Sequence, residues 1–190
     1  MTDTIRWGIA GPGRMAATMA EAFAHVPNGE LVAVGSRSLE RAQAFATEHG
    51  IPRAHGSYEA LAASPEIDAV YIATPHTQHT DIALAVIEAG KALLVEKSFS
   101  STGEDTQRSI DAARARGTFA MEAMWTRFNP AIAAIRELIA TGEIGELRAV
   151  HGDLTAFRTY DPSDRLFNPE TGGGVILALG VYVISLAEAL

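Results

Sequence analysis

The sequence of 190 residues contains no cysteine, and its 15 lysines and arginines are outnumbered by 23 aspartates and glutamates. The absence of cysteine excludes disulfides, thiolate nucleophiles and thiolate metal sites. The formal net charge is −8 and the basic residues are scattered. Both features argue against a nucleic-acid partner, because phosphate backbones attract basic surfaces.

Segments that direct export or membrane insertion are also not evident. The chain does not open with a basic region followed by a long apolar core, so no signal peptide is predicted. Residues 172–187 carry no charge, but this stretch is shorter than the roughly 20 residues of a membrane helix. We therefore expect a buried core helix there, a cytoplasmic location and no membrane partner.

The strongest pattern that is present lies near the N-terminus. An apolar run over residues 5–10 leads into residues 11–16, Gly-Pro-Gly-Arg-Met-Ala, and a helix-like stretch follows. Glycine lets the backbone turn tightly and approach a diphosphate, whose oxygens accept hydrogen bonds from the first helix amides. The predicted phosphate-binding residues are Gly11, Gly13, Arg14 and Met15. The alternative interpretation is a strand-to-helix turn without a ligand.

Apolar strand-like runs alternate with helical patterns over residues 1–122. The predicted strands cover residues 5–10, 31–35, 53–55, 68–73, 92–95 and 118–122, with a helical pattern after each of the first five. This alternation predicts an α/β fold of the Rossmann type, a doubly wound parallel sheet with helices on both faces.

The pattern changes over residues 123–190. An amphipathic helix is predicted over 130–140, a long strand over 146–157, and an apolar helix from Gly172 to the last residue. A helix that is apolar on all sides must be buried, and one strand cannot cover it. We therefore predict the start of a second, α+β domain that is incomplete in this chain.

The end of the second predicted strand indicates which nicotinamide cofactor would bind. In dinucleotide folds an acidic residue there holds the ribose 2′-hydroxyl, whereas an arginine accommodates a 2′-phosphate. Here Ser36 and Arg37 are followed by Arg41, and no acidic residue precedes Glu40. Because guanidinium groups pair well with phosphate, Ser36, Arg37 and Arg41 predict NADP rather than NAD. The alternative is that Ser38 caps a helix and Arg37 is a solvated charge.

Three further motifs make a family recognisable: residues 71–79 (Tyr-Ile-Ala-Thr-Pro-His-Thr-Gln-His), Glu96-Lys97, and the triple glycine at 172–174 that leads to Tyr182. With the glycine turn, they closely resemble the glucose–fructose oxidoreductase/inositol dehydrogenase family. Residues 122–128 and 165–167 are most similar to its dihydrodiol dehydrogenase branch. The resemblance implies a dinucleotide-binding domain over 1–122 and part of a substrate-binding and oligomerisation domain over 123–190.

The same resemblance implies roles for individual residues. Lys97 would stabilise negative charge on the reacting oxygen, and Tyr182 would carry the proton. The segments expected along the cofactor contain Thr74, Pro75, His76, His79, Glu96 and Lys97. Candidates for the substrate wall are Trp125, Arg127, Phe157 and Arg165. The structural alternatives are a helix start at Pro75, a surface charge at Lys97 and a core tyrosine at Tyr182. No metal site is predicted, since His76 and His79 lack a third ligand.

Two departures from the family pattern fall at the predicted reaction centre. Ser98 stands where most members have a proline after a cis bond, and a non-proline cis bond costs about 3 kcal/mol. The expectation is a trans Lys97-Ser98 bond and a displaced ammonium. Ala178 stands where the family has an aspartate, one helical turn before Tyr182. Both departures place activity in more doubt than cofactor binding.

The predicted function is NADP-dependent hydride transfer between the nicotinamide and a secondary alcohol or carbonyl of a sugar, cyclitol or trans-dihydrodiol. The alternatives are a dinucleotide-binding sensor without turnover and an inactive enzyme fragment. The family resemblance also implies that the full-length protein is a homo-oligomer.

Overall fold

The computed structural model describes residues 4–190, and the chain divides into two compact units between Glu122 and Ala123. The first unit contains a six-stranded parallel sheet in the order β3-β2-β1-β4-β5-β6. Its strands are β1 (Ile5–Ala10), β2 (Gly29–Gly35), β3 (Arg53–His55), β4 (Ala69–Ile72), β5 (Ala92–Val95) and β6 (Ala120–Glu122). Its helices are α1 (Arg14–Ala22), α2 (Leu39–His49), α3 (Tyr58–Ala63), α4 (His79–Glu88) and α5 (Gly103–Arg116). The predicted α/β sheet is therefore confirmed.

The carboxyl ends of the strands meet at one edge of this sheet. Ala10 at the end of β1 pairs with Gly35 on one side and Ile72 on the other, and Val95 pairs with Glu122. Chain order reverses between β1 and β4, which makes this edge the switch point where doubly wound sheets bind ligands.

Hydrophobic burial fixes the centre of the sheet. All four residues of β4 are buried, as expected for a parallel strand that is covered on both faces. Helix α3 packs closely on β2, since a Cβ added to Gly35 would lie 2.9 Å from the Cβ of Leu61. Gly35 therefore allows α3 to approach the end of β2.

The second unit is helical and lacks the predicted strand. Its helices are α6 (Pro130–Ala140), a π-helical segment Ile176–Gly180, and α7 (Val181–Ala189). Residues 146–157 are irregular and mostly exposed, so the prediction of a long strand there is wrong. The physical reason is that a strand needs a hydrogen-bonded neighbour, and the structure contains no other strand between 123 and 190.

The expectation of a buried C-terminal helix is also wrong. Val175, Ile176 and Ile184 are more than half exposed, because α7 packs mainly on the adjoining π-helical segment and the turn Trp125–Phe128. Within residues 4–190, one helical segment, Pro169–Ala189, is long and apolar enough to cross a membrane. Core helices of soluble proteins share this length and composition.

Candidate functional site

The glycine turn after β1 is shaped by a close approach to the end of β4. Gly11 has a φ of +95°, and an added Cβ would lie 2.7 Å from Cγ2 of Thr74. Both the backbone angle and the lack of space require glycine at this position. Helix α1 then begins at Arg14, and its N-cap residue is Gly13, which has no side chain that could cap the helix. The first amides of α1 therefore receive no side-chain cap from this position and can serve an anionic ligand.

A cleft of about 500 Å³ opens beside this turn. Its lining residues come from the ends of β1, β2 and β4 and from the start of α3: Gly11, Pro12, Gly13, Ser36, Arg37, Ser38, Arg41, Tyr58, Ala73, Thr74, Pro75 and Gln78. The cleft thus brings together the predicted glycines, the residues that follow β2, and the Thr74-Pro75 turn. Arg14, Met15, His76, His79, Glu96 and Lys97 are not part of this lining.

Within residues 4–190, Thr74 carries a buried hydroxyl without a partner at the wall of the cleft. Its side chain is 8 % exposed, and its Oγ1 has no hydrogen-bond partner in the described part of the chain. A buried hydroxyl without a partner destabilises the protein, because it loses its hydrogen bonds to water and forms none within the protein. A ligand with polar groups, such as a dinucleotide, fits this position.

The residues after β2 divide into two groups. The serine side chains accept hydrogen bonds from the backbone. Ser36 Oγ accepts the Ser38 N–H at 3.2 Å, and Ser38 Oγ caps α2 by accepting the Arg41 N–H at 3.3 Å. Arg37 and Arg41 are exposed, and neither forms an ion pair with any residue between 4 and 190. Two uncompensated guanidinium groups therefore stand at the cleft of a protein with net charge −8.

The Lys97 segment lies at the end of β5 and is held by side chains. Glu96 Oε2 accepts the Lys97 N–H at 3.2 Å, and Glu96 Oε1 accepts the buried hydroxyl of Tyr71 at 2.6 Å. The Lys97-Ser98 peptide bond is cis, so the expectation of a trans bond is wrong. The next amide, Phe99 N–H, donates to Glu122 Oε1 at 2.8 Å.

His79 is buried behind the cleft and connects two strand ends. Its Nε2 lies 2.8 Å from the carbonyl oxygen of Thr74, and its Nδ1 lies 3.0 Å from that of Ser98. Burial lowers the pKa of His79, although the carbonyl groups oppose this effect. His79 thus supports the cleft wall from inside as a neutral ring. His76 is also buried, with its ring 6.2 Å from that of His79.

In the second unit, Trp125 lies beside Tyr182. The indole Nε1 donates to Tyr182 Oη at 3.4 Å, and the two ring centroids are 6.1 Å apart. Arg127 is occupied elsewhere, since its guanidinium donates to Ser185 Oγ at 2.7 Å and pairs with Glu188. The remaining candidates, Phe157 and Arg165, lie on exposed irregular chain.

Sequence reasoning missed Tyr58 and Gln78 in the cleft. Tyr58 follows β3 and Gln78 follows the Thr74-Pro75 turn, so both lie near carboxyl ends of strands. Applying the switch-point rule to every strand of the predicted sheet would have drawn attention to both positions. Among residues 4–190, no group of three or more metal-ligating side chains is placed to hold a metal ion.

Comparison with known proteins agrees with this geometry. Residues 5–124 match the family model described as "Oxidoreductase family, NAD-binding Rossmann fold", and residues 132–190 match the GFO/IDH/MocA C-terminal domain. The chain belongs to the GFO/IDH/MocA oxidoreductase family. The resemblance inferred from the sequence motifs is therefore confirmed, as is the binding of a nicotinamide dinucleotide as a family property.

Relatives in this family carry enzyme names. Trans-1,2-dihydrobenzene-1,2-diol dehydrogenase of Mus musculus is 39 % identical over 188 residues, which cover 98 % of this chain and 56 % of the relative. A levoglucosan dehydrogenase solved with NADH and levoglucosan superposes with a TM-score of 0.87 at 27 % identity, covering 99 % of this chain and 54 % of that one. An NAD-binding oxidoreductase from Klebsiella pneumoniae has a TM-score of 0.84 at 26 % identity, covering 98 % and 53 %. The chain spans about half the length of the relatives it matches.

Proposed function

We propose that this chain binds a nicotinamide dinucleotide across the carboxyl edge of its sheet and serves hydride transfer to and from a secondary alcohol. The observation that carries the proposal is the cleft that is lined by Thr74, the Gly11 turn and Gly13, the N-cap residue of α1. The pyrophosphate would lie at the turn and the helix amides. The substrate class is a sugar, cyclitol or trans-dihydrodiol, in keeping with the names of the relatives.

NADP is the proposed form of the cofactor. Arg37 and Arg41 are exposed at the cleft without an ion-pair partner in the described chain, and no carboxylate follows β2 before Glu40. A carboxylate would repel a 2′-phosphate, whereas these guanidinium groups would pair with it. These arginines, which form no ion pair within residues 4–190, therefore support a preference for NADP over NAD.

The proposed chemistry divides between Lys97 and Tyr182. When bound, the nicotinamide supplies or accepts the hydride. The Lys97 ammonium would stabilise negative charge that develops on the substrate oxygen. The Tyr182 phenol would exchange a proton with that oxygen, and the neighbouring indole of Trp125 orients the phenol through the contact at 3.4 Å. The hydrogen bond from the Lys97 amide to Glu96 fixes the backbone that carries the ammonium.

Calorimetry with NADP⁺ and NAD⁺, followed by an assay of reduced-nicotinamide absorbance with a panel of polyols and dihydrodiols, tests the proposal. We expect tighter binding of NADP⁺ and turnover of at least one alcohol. Lys97→Met should abolish turnover and leave coenzyme binding within about twofold, because the ammonium acts on the substrate oxygen. Binding without turnover of any panel member would favour the dinucleotide sensor. Absence of heat with both coenzymes would refute the proposed function.

A further inference from the structure

Tyr58 occupies a fixed position at the edge of the cleft. The Ser57 Oγ accepts the Ala60 N–H at 3.0 Å and caps α3, which begins at Tyr58 shortly after β3 ends at His55. The same helix is drawn onto β2 by the close approach of Leu61 to Gly35. Because Arg37 is the second residue after β2, this packing places Tyr58 and Arg37 at the same sheet edge.

The Tyr58 side chain has an anchored end and a polar end. Its ring packs against the hydrophobic core, and the residue also lines the cleft together with Arg37 and Arg41. Burial raises the pKa of the phenol, and the positive charge of the nearby Arg37 partly offsets this rise. The phenol is therefore neutral near pH 7, and its oxygen can accept a hydrogen bond from the guanidinium.

The exposed Arg37 would otherwise be free to sample many rotamers. Ordering a long basic side chain on binding costs conformational entropy. A neighbouring acceptor that is itself held by the core would lower this cost, because it would direct the guanidinium along the cleft wall before the ligand arrives. Of the polar side chains that follow β2, Ser36 and Ser38 accept backbone amides at the start of α2. Tyr58 supplies such an acceptor from a different element.

On the basis of the proposed NADP preference, we propose that Tyr58 is a positioning residue for recognition of the adenosine 2′-phosphate. Its hydroxyl holds the Arg37 guanidinium at the cleft wall, so that Arg37 meets the phosphate in a prepared orientation. The role is specific for the phosphate. If Tyr58 only contacted the adenosine ring, its replacement would weaken the binding of NADP and NAD alike, since both coenzymes carry that ring.

Tyr58→Phe tests this role, since it keeps the ring in the core and removes only the hydroxyl. We expect calorimetry to show NADP⁺ binding weakened by about three- to tenfold, the effect of losing one charge-assisted hydrogen bond. The affinity for NAD⁺ should stay within about twofold, which also reports that the variant is folded. Tyr160→Phe is the matched control, because Tyr160 is exposed in the second unit.

A double-mutant cycle with Arg37→Ala separates positioning from direct contact. We expect Tyr58→Phe to have no further effect on NADP⁺ binding once Arg37 is absent. An equal loss in both backgrounds, or an equal loss for NADP⁺ and NAD⁺, would overturn the positioning role. A wild-type chain that binds neither coenzyme would refute the proposed function before any variant is made. A wild-type chain that binds both equally would refute the NADP preference and, with it, the role of Tyr58.

Discussion

The imidazole Nδ1 of His79 lies 3.0 Å from the carbonyl oxygen of Ser98. This contact crosses from the start of α4 to the segment that carries Lys97, and the opposite ring nitrogen faces Thr74 on the other side. One buried side chain therefore links the cleft wall to the proposed catalytic lysine. A neutral ring has one N–H, so only one of these contacts is a hydrogen bond at any time.

The stability of the protein should depend on the protonation of His79. Its folded pKa lies below the ordinary value of 6.5, because burial disfavours the charged ring. The unfolded chain then binds more protons than the folded one as pH falls below about 6.5, so the free energy of unfolding decreases there, by at most about 1.4 kcal/mol per pH unit for one group. Chemical denaturation between pH 5 and pH 8 measures this slope.

His79→Gln should flatten that slope, since glutamine does not titrate. His25→Gln is the control, because His25 is exposed and lies on a surface turn. A slope in the His79 variant equal to that of the wild type would assign the pH dependence to other groups.

Thr74→Val should change affinity and stability in opposite directions. Valine keeps the shape of threonine and removes a buried hydroxyl that has no partner in the described chain. The free protein should become more stable by about 1 kcal/mol, whereas binding of both coenzymes should weaken by about five- to tenfold. Thermal unfolding and calorimetry measure the two effects. Thr47→Val is the control, since Thr47 Oγ1 bonds within α2 at the surface. A variant with unchanged affinity would show that Thr74 does not contact the ligand.

Glu122 should affect turnover through the backbone next to Lys97. Its Oε1 accepts the Phe99 N–H at 2.8 Å. Glu122→Ala should lower kcat by about tenfold through displacement of this segment, while coenzyme affinity stays within about twofold. Glu122→Gln keeps the accepting oxygen and should retain most of the rate. Equal losses in the two variants would show that the charge matters and not the hydrogen bond.

Arg127 is expected to stabilise α7 rather than contact substrate. Its guanidinium donates to the buried Ser185 through Nε, at 2.7 Å, and pairs with the exposed Glu188. Arg127→Ala should lower the free energy of unfolding by about 1–2 kcal/mol and speed amide exchange in α7. Glu188→Gln should cost less than about 1 kcal/mol, because exposed ion pairs contribute little. A larger cost for Glu188→Gln than for Arg127→Ala would contradict this assignment.

The first unit could be predicted because its signals are local. The apolar run of β4, the glycine turn after β1 and the cap at Ser38 each depend on neighbours in sequence. The geometry around Lys97 could not be predicted in this way. The cis bond was missed because the expectation used only a local preference, whereas the segment is contacted by His79 and Glu122 from other elements.

The second unit shows the same division. The helix over 130–140 is predicted from its own periodicity, and in the structure Asn129 caps it by accepting the Ala131 N–H at 2.9 Å. The strand predicted over 146–157 does not form, because a strand needs a hydrogen-bonded partner strand. The residue pattern of 146–157 alone gives no information about whether such a partner is present.

The charges at the cleft bear on how quickly a coenzyme arrives. A chain of net charge −8 repels an anionic dinucleotide at a distance, while Arg37 and Arg41 attract it close to the wall. At an ionic strength of about 0.15 M the Debye length is about 8 Å, so salt suppresses the distant repulsion more than the short-range attraction. We therefore expect the two guanidinium groups on one rim to govern the encounter with a coenzyme more than the carboxylates spread over the rest of the surface.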